Sequence, residues 1–314
     1  MEKTGEHIPS FLIAGITDNC NLRCVGCYAM ANHACAESQE LSVSDWGRIF
    51  GEAEELGVSV ILLAGGEPLL RRDVLEAASK RPGILFPVFT NGTLLDDAAL
   101  RLFDGHRNLV PIVSMEGDES ATDSRRGQGV YIQIAETMRR LRERGLLFGV
   151  SVTVTAENLE DVTCRAFVDE LERAGCKVII FVEYVPVEQS ILALDDAGRD
   201  KLAARVNELR ISREEMIVIS FPGDEAESGG CLAAGRGFFH INASGGAEPC
   251  PFSPYSDVSL RDTTLCEALR SPLFTRLRED GVLAAKHTGG CVLFEQKDIV
   301  ERLATGTSVK VKDN

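Results

Sequence analysis

From Phe11 to about Tyr184, short apolar runs alternate with amphipathic ones. That alternation commits the chain to repeated β–α units around a mostly parallel sheet, an α/β fold. Six runs read as strands: residues 11–17, 59–65, 84–90, 109–115, 148–155 and 178–184. Between them the helical period is clear. Trp46, Ile49, Phe50, Ala53 and Leu56 fall on one face, Ser42 or Ser44 can cap the start, and Gly57 can end the helix. Val130, Ile134, Met138 and Leu141 repeat the spacing, with Arg139, Arg140, Arg142 and Arg144 mostly on the solvated side and Gly145 closing the helix. A further helix is expected over 159–175, with Cys164 and Cys176 as packing residues. Functional residues in such sheets gather at the carboxyl ends of the strands, where loops vary on a rigid scaffold.

After the sixth strand the alternation fades. Residues 215–314 carry turn-forming glycines, a hairpin over 238–250 and two short helices, which gives an expected division into a tail (1–10), a β–α unit (11–214) and an extension (215–314). The first ten residues hold no apolar run of signal-peptide length, and the greasiest later stretches are too short to span a bilayer, so a cytoplasmic protein without a membrane partner is expected. Lys and Arg total 33 against 48 Asp and Glu, a net charge of -15 that repels a phosphate backbone and argues against nucleic acid. Ten cysteines in a chain of that compartment point to metal ligation or redox chemistry before disulfides. They fall at 20, 24, 27 and 35, at 164 and 176, and at 231, 250, 266 and 291, so two separate metal regions are conceivable.

Directly after the first strand run, Cys20, Cys24 and Cys27 put three thiols on one compact loop. Three thiolates can hold three irons of a cubane [4Fe–4S] cluster and leave the fourth iron open to a small chelating molecule. Zinc is the competing occupant, with His33 or Cys35 available as a fourth ligand, and a set of buried thiols is the third reading.

The loop resembles the signature of the radical S-adenosylmethionine superfamily, C-x3-C-x2-C after the first strand of a partial (β/α)6 TIM-like barrel. The resemblance spans roughly residues 10 to 185. It implies that Cys20, Cys24 and Cys27 are the catalytic cluster ligands. It also implies that S-adenosylmethionine chelates the open iron and is cleaved reductively to a 5'-deoxyadenosyl radical, which takes hydrogen from the substrate. Further segments match in order. Gly65-Gly66-Glu67-Pro68 follows the second strand, where the family binds the methionine amino group and where glycines let backbone approach a ligand closely. Thr90-Asn91 ends the third strand, and Ser114, Glu116 and Arg126 follow from the fourth. Ser114 and Arg126 resemble the pair that holds the methionine carboxylate, which suits a guanidinium's fork. Glu116 stands where many relatives carry Asp. Alternate hydroxyls on the fifth strand, Thr153 among them, lie where relatives contact the cofactor ribose, although the β propensity of Thr explains them nearly as well. Tyr28 stands where an aromatic commonly approaches the adenine.

In the extension, Cys231 and Cys250 bracket the hairpin and Cys291 follows an intervening helix. This resembles the SPASM or shorter twitch extension of the same superfamily, and implies one auxiliary [4Fe–4S] cluster held by Cys231, Cys250 and Cys291. Its fourth position is left to Cys266, Cys35 or an open iron. Glu183, Tyr184, His240 and Asn242 are candidate substrate groups. The functional expectation is a radical enzyme acting on a small metabolite rather than a peptide side chain, since no peptide-leader-binding domain is recognisable. A flavodoxin or ferredoxin is the implied electron donor. The competing class is a non-catalytic iron–sulfur electron-transfer or metal-binding protein with closed clusters.

Overall fold

A computed structural model describes residues 7–32, 39–186, 192–284 and 291–305. Nine strands form one sheet: β1 (Phe11–Gly15), β2 (Val60–Ala64), β3 (Phe86–Thr90), β4 (Leu109–Met115), β5 (Gly149–Val154), β6 (Val178–Glu183), β7 (Ile217–Phe221), β8 (His240–Ile241) and β9 (Ala247–Glu248). The order is β7-β6-β5-β4-β3-β2-β1-β8-β9, and β1 to β7 pair in parallel with each strand beside its sequence neighbour. Helices cross between successive strands, so the sheet is a partial barrel of the TIM type.

All six strand runs read from the sequence are present. The helix Val43–Leu56 starts on Ser42, whose side chain and Asp45 form a capping box, and stops at Gly57 with φ 86°. Its buried Trp46 and Phe50 rings lie 5.7 Å apart, and Phe50 meets Phe86 of β3 edge-on at 5.3 Å. Parallel strands buried on both faces need apolar residues on both. In β4, Leu109, Val113 and Met115 join the main core under the helices, while Val110 and Ile112 form a separate small cluster with Ile180 of β6. The parallel register places Ser114 opposite Ser151 and Thr153 two residues on, on that second face.

The structure differs from the sequence expectation in three places. The helix expected over 159–175 is two, Leu159–Val162 and Arg165–Ala174, because Cys164 is extended (ψ 152°) between them. Among the described residues the extension holds four short α-helices, Leu265–Leu269, Pro272–Glu279, Val292–Glu295 and Lys297–Ala304, rather than two. A seventh parallel strand, β7, lies inside the stretch read as extension. It is an edge strand with Ile217 and Ile219 facing solvent, and the helix before it, Asp196–Ser212, buries only Leu202, Val206 and Leu209, so its period is faint.

The expected hairpin is β8 and β9, but it does not stand apart: β8 continues the sheet in parallel beside β1. His240 is buried there, its Nδ1 2.7 Å from Glu248 Oε2, while Asn242 donates to Glu248 Oε1 at 2.6 Å. Both are thereby engaged in shaping the hairpin. Phe238 stacks on Phe11 of β1 at 5.0 Å and meets Phe221 of β7 at 5.8 Å, so one ring bridges the first and last parallel strands. Replacing the fully buried Phe238 by Ala is expected to cost about 3–5 kcal/mol, read by urea unfolding, with the loss concentrated in the extension by hydrogen exchange.

Candidate functional site

The loop after β1 carries Cys20, Cys24 and Cys27, none in a disulfide and all half-buried. It has little regular structure until the helix Tyr28–Asn32, so its shape depends on tertiary contacts. At its start the buried Glu40 accepts from Thr17 Oγ1 (2.7 Å) and the Asp18 amide (2.9 Å), and pairs through its other oxygen with Arg71 at 3.1 Å. Further on, Val25 exchanges two hydrogen bonds with Arg125, amide to carbonyl at 2.9 Å and guanidinium to carbonyl at 3.1 Å. Cys35 and His33 fall outside the described residues.

The Gly65-Gly66-Glu67-Pro68 turn at the end of β2 docks directly on this loop. Gly66 N–H donates to Thr17 O at 2.6 Å and Glu67 N–H to Asn19 O at 2.8 Å. A Cβ on Gly65 would sit 2.2 Å from Thr17 O, and one on Gly66 2.0 Å from Asn19 O, so both glycines are required by the approach of the two backbones. Pro68 opens the 3₁₀ turn Pro68–Leu70, and Glu67 caps it. Glu67 is buried with both oxygens engaged: Oε1 accepts from Thr90 Oγ1 (2.7 Å) and the Leu69 amide (3.0 Å), Oε2 from the Asn91 amide (2.7 Å). Burial pushes its carboxyl up, against those three hydrogen bonds. The Asn91 amide group donates to Asn21 at 2.9 Å and lies 3.9 Å from Cys20 Sγ, which links the end of β3 to the cysteine loop.

From β4 and the helix Glu119–Arg126 come Glu116 and two arginines. Glu116 Oε1 accepts from Arg125 at 2.5 Å and from both Nε and a terminal nitrogen of Arg126 at 2.9 and 2.5 Å; Oε2 is buried with no hydrogen-bond partner. Arg125 also donates to Thr153 Oγ1 at 2.9 Å. The sequence reading set Arg126 beside Ser114 as joint holders of a cofactor carboxylate. Here the fork of Arg126 is on Glu116, and the hydroxyl of the half-buried Ser114 has no hydrogen-bond partner among the described residues. Burial pushes the Cys20 and Cys24 thiols up, and for Cys24 the Arg126 charge is the strongest opposing influence. Glu40 was not singled out from sequence and had no local signal there, whereas Arg125 adjoins the expected Arg126.

The C-terminal cysteines meet in a second place. Cys231, Cys250 and Cys291 line one cavity of about 400 Å³ with Glu183, Arg199, Phe252 and Glu225. Burial pushes all three thiols up, Cys291 to about 11, and each is raised further by acidic neighbours in the cavity. Cys266 is elsewhere: its helix Leu265–Leu269 packs on Val43–Leu56, where Glu52 receives the Leu265 amide at 2.7 Å. Tyr28 lies between the two groups, its ring 4.9 Å from Phe252, and its hydroxyl is pushed up by burial and then by Cys27 and Cys250. Gly26 of the first loop presses on Tyr184, a Cβ there falling 2.7 Å from the Tyr184 hydroxyl.

Among the described residues no three His, Cys, Asp or Glu side chains converge on a point that one metal ion could occupy. Thiols spread over a loop suit a cubane, which takes one ligand per iron at separate corners. The unbonded thiols, the orphaned Glu116 Oε2 and the open Ser114 hydroxyl therefore fit a cluster with a polar cofactor beside it. No helix among the described residues is long and apolar enough to cross a membrane.

Comparison with known proteins agrees with this geometry. The chain is 32% identical to the Fe-coproporphyrin III synthase of Methanosarcina barkeri over 178 residues, 55% of this chain and less than half (44%) of that protein. It is 26% identical to the AdoMet-dependent heme synthase of the same organism over 93% of this chain and 90% of that one. In structure it resembles Streptococcus suis SuiB bound to precursor peptide SuiA, with a TM-score of 0.73 at 19% identity over 87% of this chain and 67% of SuiB, a likeness of fold. The radical SAM superfamily profile matches residues 15–171, half of the chain, and the protein belongs to that superfamily.

Proposed function

We propose that this chain cleaves S-adenosylmethionine reductively with a [4Fe–4S] cluster on Cys20, Cys24 and Cys27, and abstracts hydrogen from a small metabolite beside an auxiliary cluster on Cys231, Cys250 and Cys291. The observation that carries the reading is the pinning of three unpaired thiols at the mouth of the sheet by the Gly65–Glu67 backbone. When bound, the cluster supplies the electron for S-adenosylmethionine cleavage, the chemistry shared by the family.

The chain's own residues divide into those that hold the loop and those that meet the cofactor. Gly65, Gly66, Glu67 and Pro68 fix the loop's position, with Thr90 and Asn91 tied to it through Glu67. Ser114 and Glu116 Oε2 are the polar groups left for the cofactor, Arg126 adds positive charge beside Cys24, and Thr153 is held by Arg125 on the same face as Ser114. Tyr28 offers an aromatic edge at the third thiol. An electron carrier with closed clusters has no use for such open polar groups around its thiols, which favours the enzyme reading. The near full-length likeness to a heme synthase supports a small-molecule substrate, and a flavodoxin or ferredoxin is the fitting donor.

Reconstituted without oxygen and reduced, wild type should form 5'-deoxyadenosine from S-adenosylmethionine, and a Cys20→Ala, Cys24→Ala, Cys27→Ala variant should form none while iron falls from about eight to about four per chain. A triple variant that still forms 5'-deoxyadenosine sinks the assignment. Gly66→Ala should lower the rate about a hundredfold at unchanged auxiliary iron, because a Cβ 2.0 Å from Asn19 O must displace the cysteine loop.

A further inference from the structure

The cavity that gathers Cys231, Cys250 and Cys291 contains a fourth candidate donor from a different element. Glu225 sits in the 3₁₀ turn Gly223–Ser228 that follows β7, and it lines the same cavity as the three thiols. It is only 8% exposed, and its Oε1 is buried without a hydrogen-bond partner. The carboxylate is hydrogen-bonded to the Cys231 thiol and the Leu232 backbone, and Cys250 and Cys291 line the same cavity.

A carboxylate oxygen this deep normally meets a cation or a donor, because burial without one is strongly unfavourable. The arginines around Glu225 do not fill that role. Arg199 is paired with Glu183 at 2.9 Å and with Asp196 at 2.8 Å, and Arg210 holds Asp224 through both of its oxygens at 2.8 and 2.6 Å. Arg236, whose charge acts on Glu225, directs its guanidinium to the carbonyls of Ser228, Gly229 and Cys231. Among the described residues no ion pair to Glu225 forms. Three thiols and one carboxylate thus face a common space with no cation paired to Glu225 and its Oε1 left without a donor. Iron in that space would satisfy all four, since iron accepts carboxylate as well as thiolate oxygen and sulfur donors.

We propose that Glu225 is the fourth ligand of the auxiliary cluster, its carboxylate closing the iron that Cys231, Cys250 and Cys291 leave open. The proposal rests on the reading of those three cysteines as cluster ligands. It makes the fourth position neither a fourth cysteine nor vacant at rest. Cys266 is displaced to the helix pair around Glu52, whereas Glu225 is in the cavity.

The test uses the full-length Cys20→Ala, Cys24→Ala, Cys27→Ala protein, so that only auxiliary iron is read, alone and with Glu225→Gln or Glu225→Cys added. With Glu225 present, about four irons per chain are expected, and cyanide should leave the reduced-state electron paramagnetic resonance spectrum unchanged. Glu225→Gln should make that spectrum shift with cyanide and, after mild ferricyanide oxidation, let iron fall from about four to about three per chain. Glu225→Cys should keep about four irons and stay insensitive to cyanide. If the parent already shifts with cyanide as Glu225→Gln does, the iron is open and Glu225 is not its ligand, although the cluster stands. If the parent retains no iron, the auxiliary cluster itself falls, and the ligand proposal with it.

Discussion

Two backbone hydrogen bonds, from Gly66 to Thr17 and from Glu67 to Asn19, decide where the three thiols of the first cysteine loop stand. The cysteine loop is nearly without secondary structure of its own, so its amides and carbonyls must find partners elsewhere. They find them on a second loop at the neighbouring strand end, which is possible only because residues 65 and 66 have no side chains to hold the backbones apart. Glu67 then makes the contact rigid. Its buried carboxylate takes donors from Thr90, Asn91 and Leu69, so the ends of β2 and β3 and the cysteine loop move as one unit. Such preorganisation is what a site needs when its chemistry depends on positions held to fractions of an ångström.

The electrostatics around Glu116 follow the same logic with charges. Two guanidinium groups share Oε1 of one buried carboxylate, an arrangement that is favourable only if the remaining charge is balanced locally. The excess positive charge lies toward Cys24 and Cys27, and both thiols act on Arg126 in return. In the proposed reading, thiolate ligands in this loop would meet a cation already desolvated and oriented. Arg125 serves a second purpose, since the backbone it shares with Val25 fastens the stretch between Cys24 and Cys27 to the helix Glu119–Arg126.

Much of this was legible in the sequence because strand and helix periods, caps and the cysteine spacing are local signals. Ser42, Gly57 and the apolar face of Val43–Leu56 are where the pattern places them. What escaped was non-local. β7 is short, sits at the edge and exposes alternate isoleucines, so its pattern does not stand out after a helix with only three buried residues. Glu40 and Glu225 are acidic residues in an acidic chain, and nothing in their neighbours announces burial. Their roles arise from what residues more than twenty positions away present to them, as with Thr17 and Arg71 for Glu40 and Cys250 and Cys291 for Glu225. The same limit applies to Arg126: a guanidinium's protein partner is a matter of reach, and its fork lies on Glu116.

A partial barrel leaves an opening between its first and last strands, and here the chain's own C-terminal region fills it. β8 extends the sheet from β1, and Phe238 spans from Phe11 to Phe221 across the gap. The consequence is chemical as well as structural. Closing the gap with the hairpin carries Cys250 to Phe252 and Tyr28, while the turn after β7 carries Glu225 to Cys231. The first cysteine loop, through Gly26 on Tyr184 and Tyr28 on Phe252, is thus packed against the same elements that gather the second set of thiols. Two sites built from residues more than two hundred positions apart are held in one frame by aromatic rings. A change that loosens Phe238 acts on both, because the covalent chain alone would leave the extension free of the barrel.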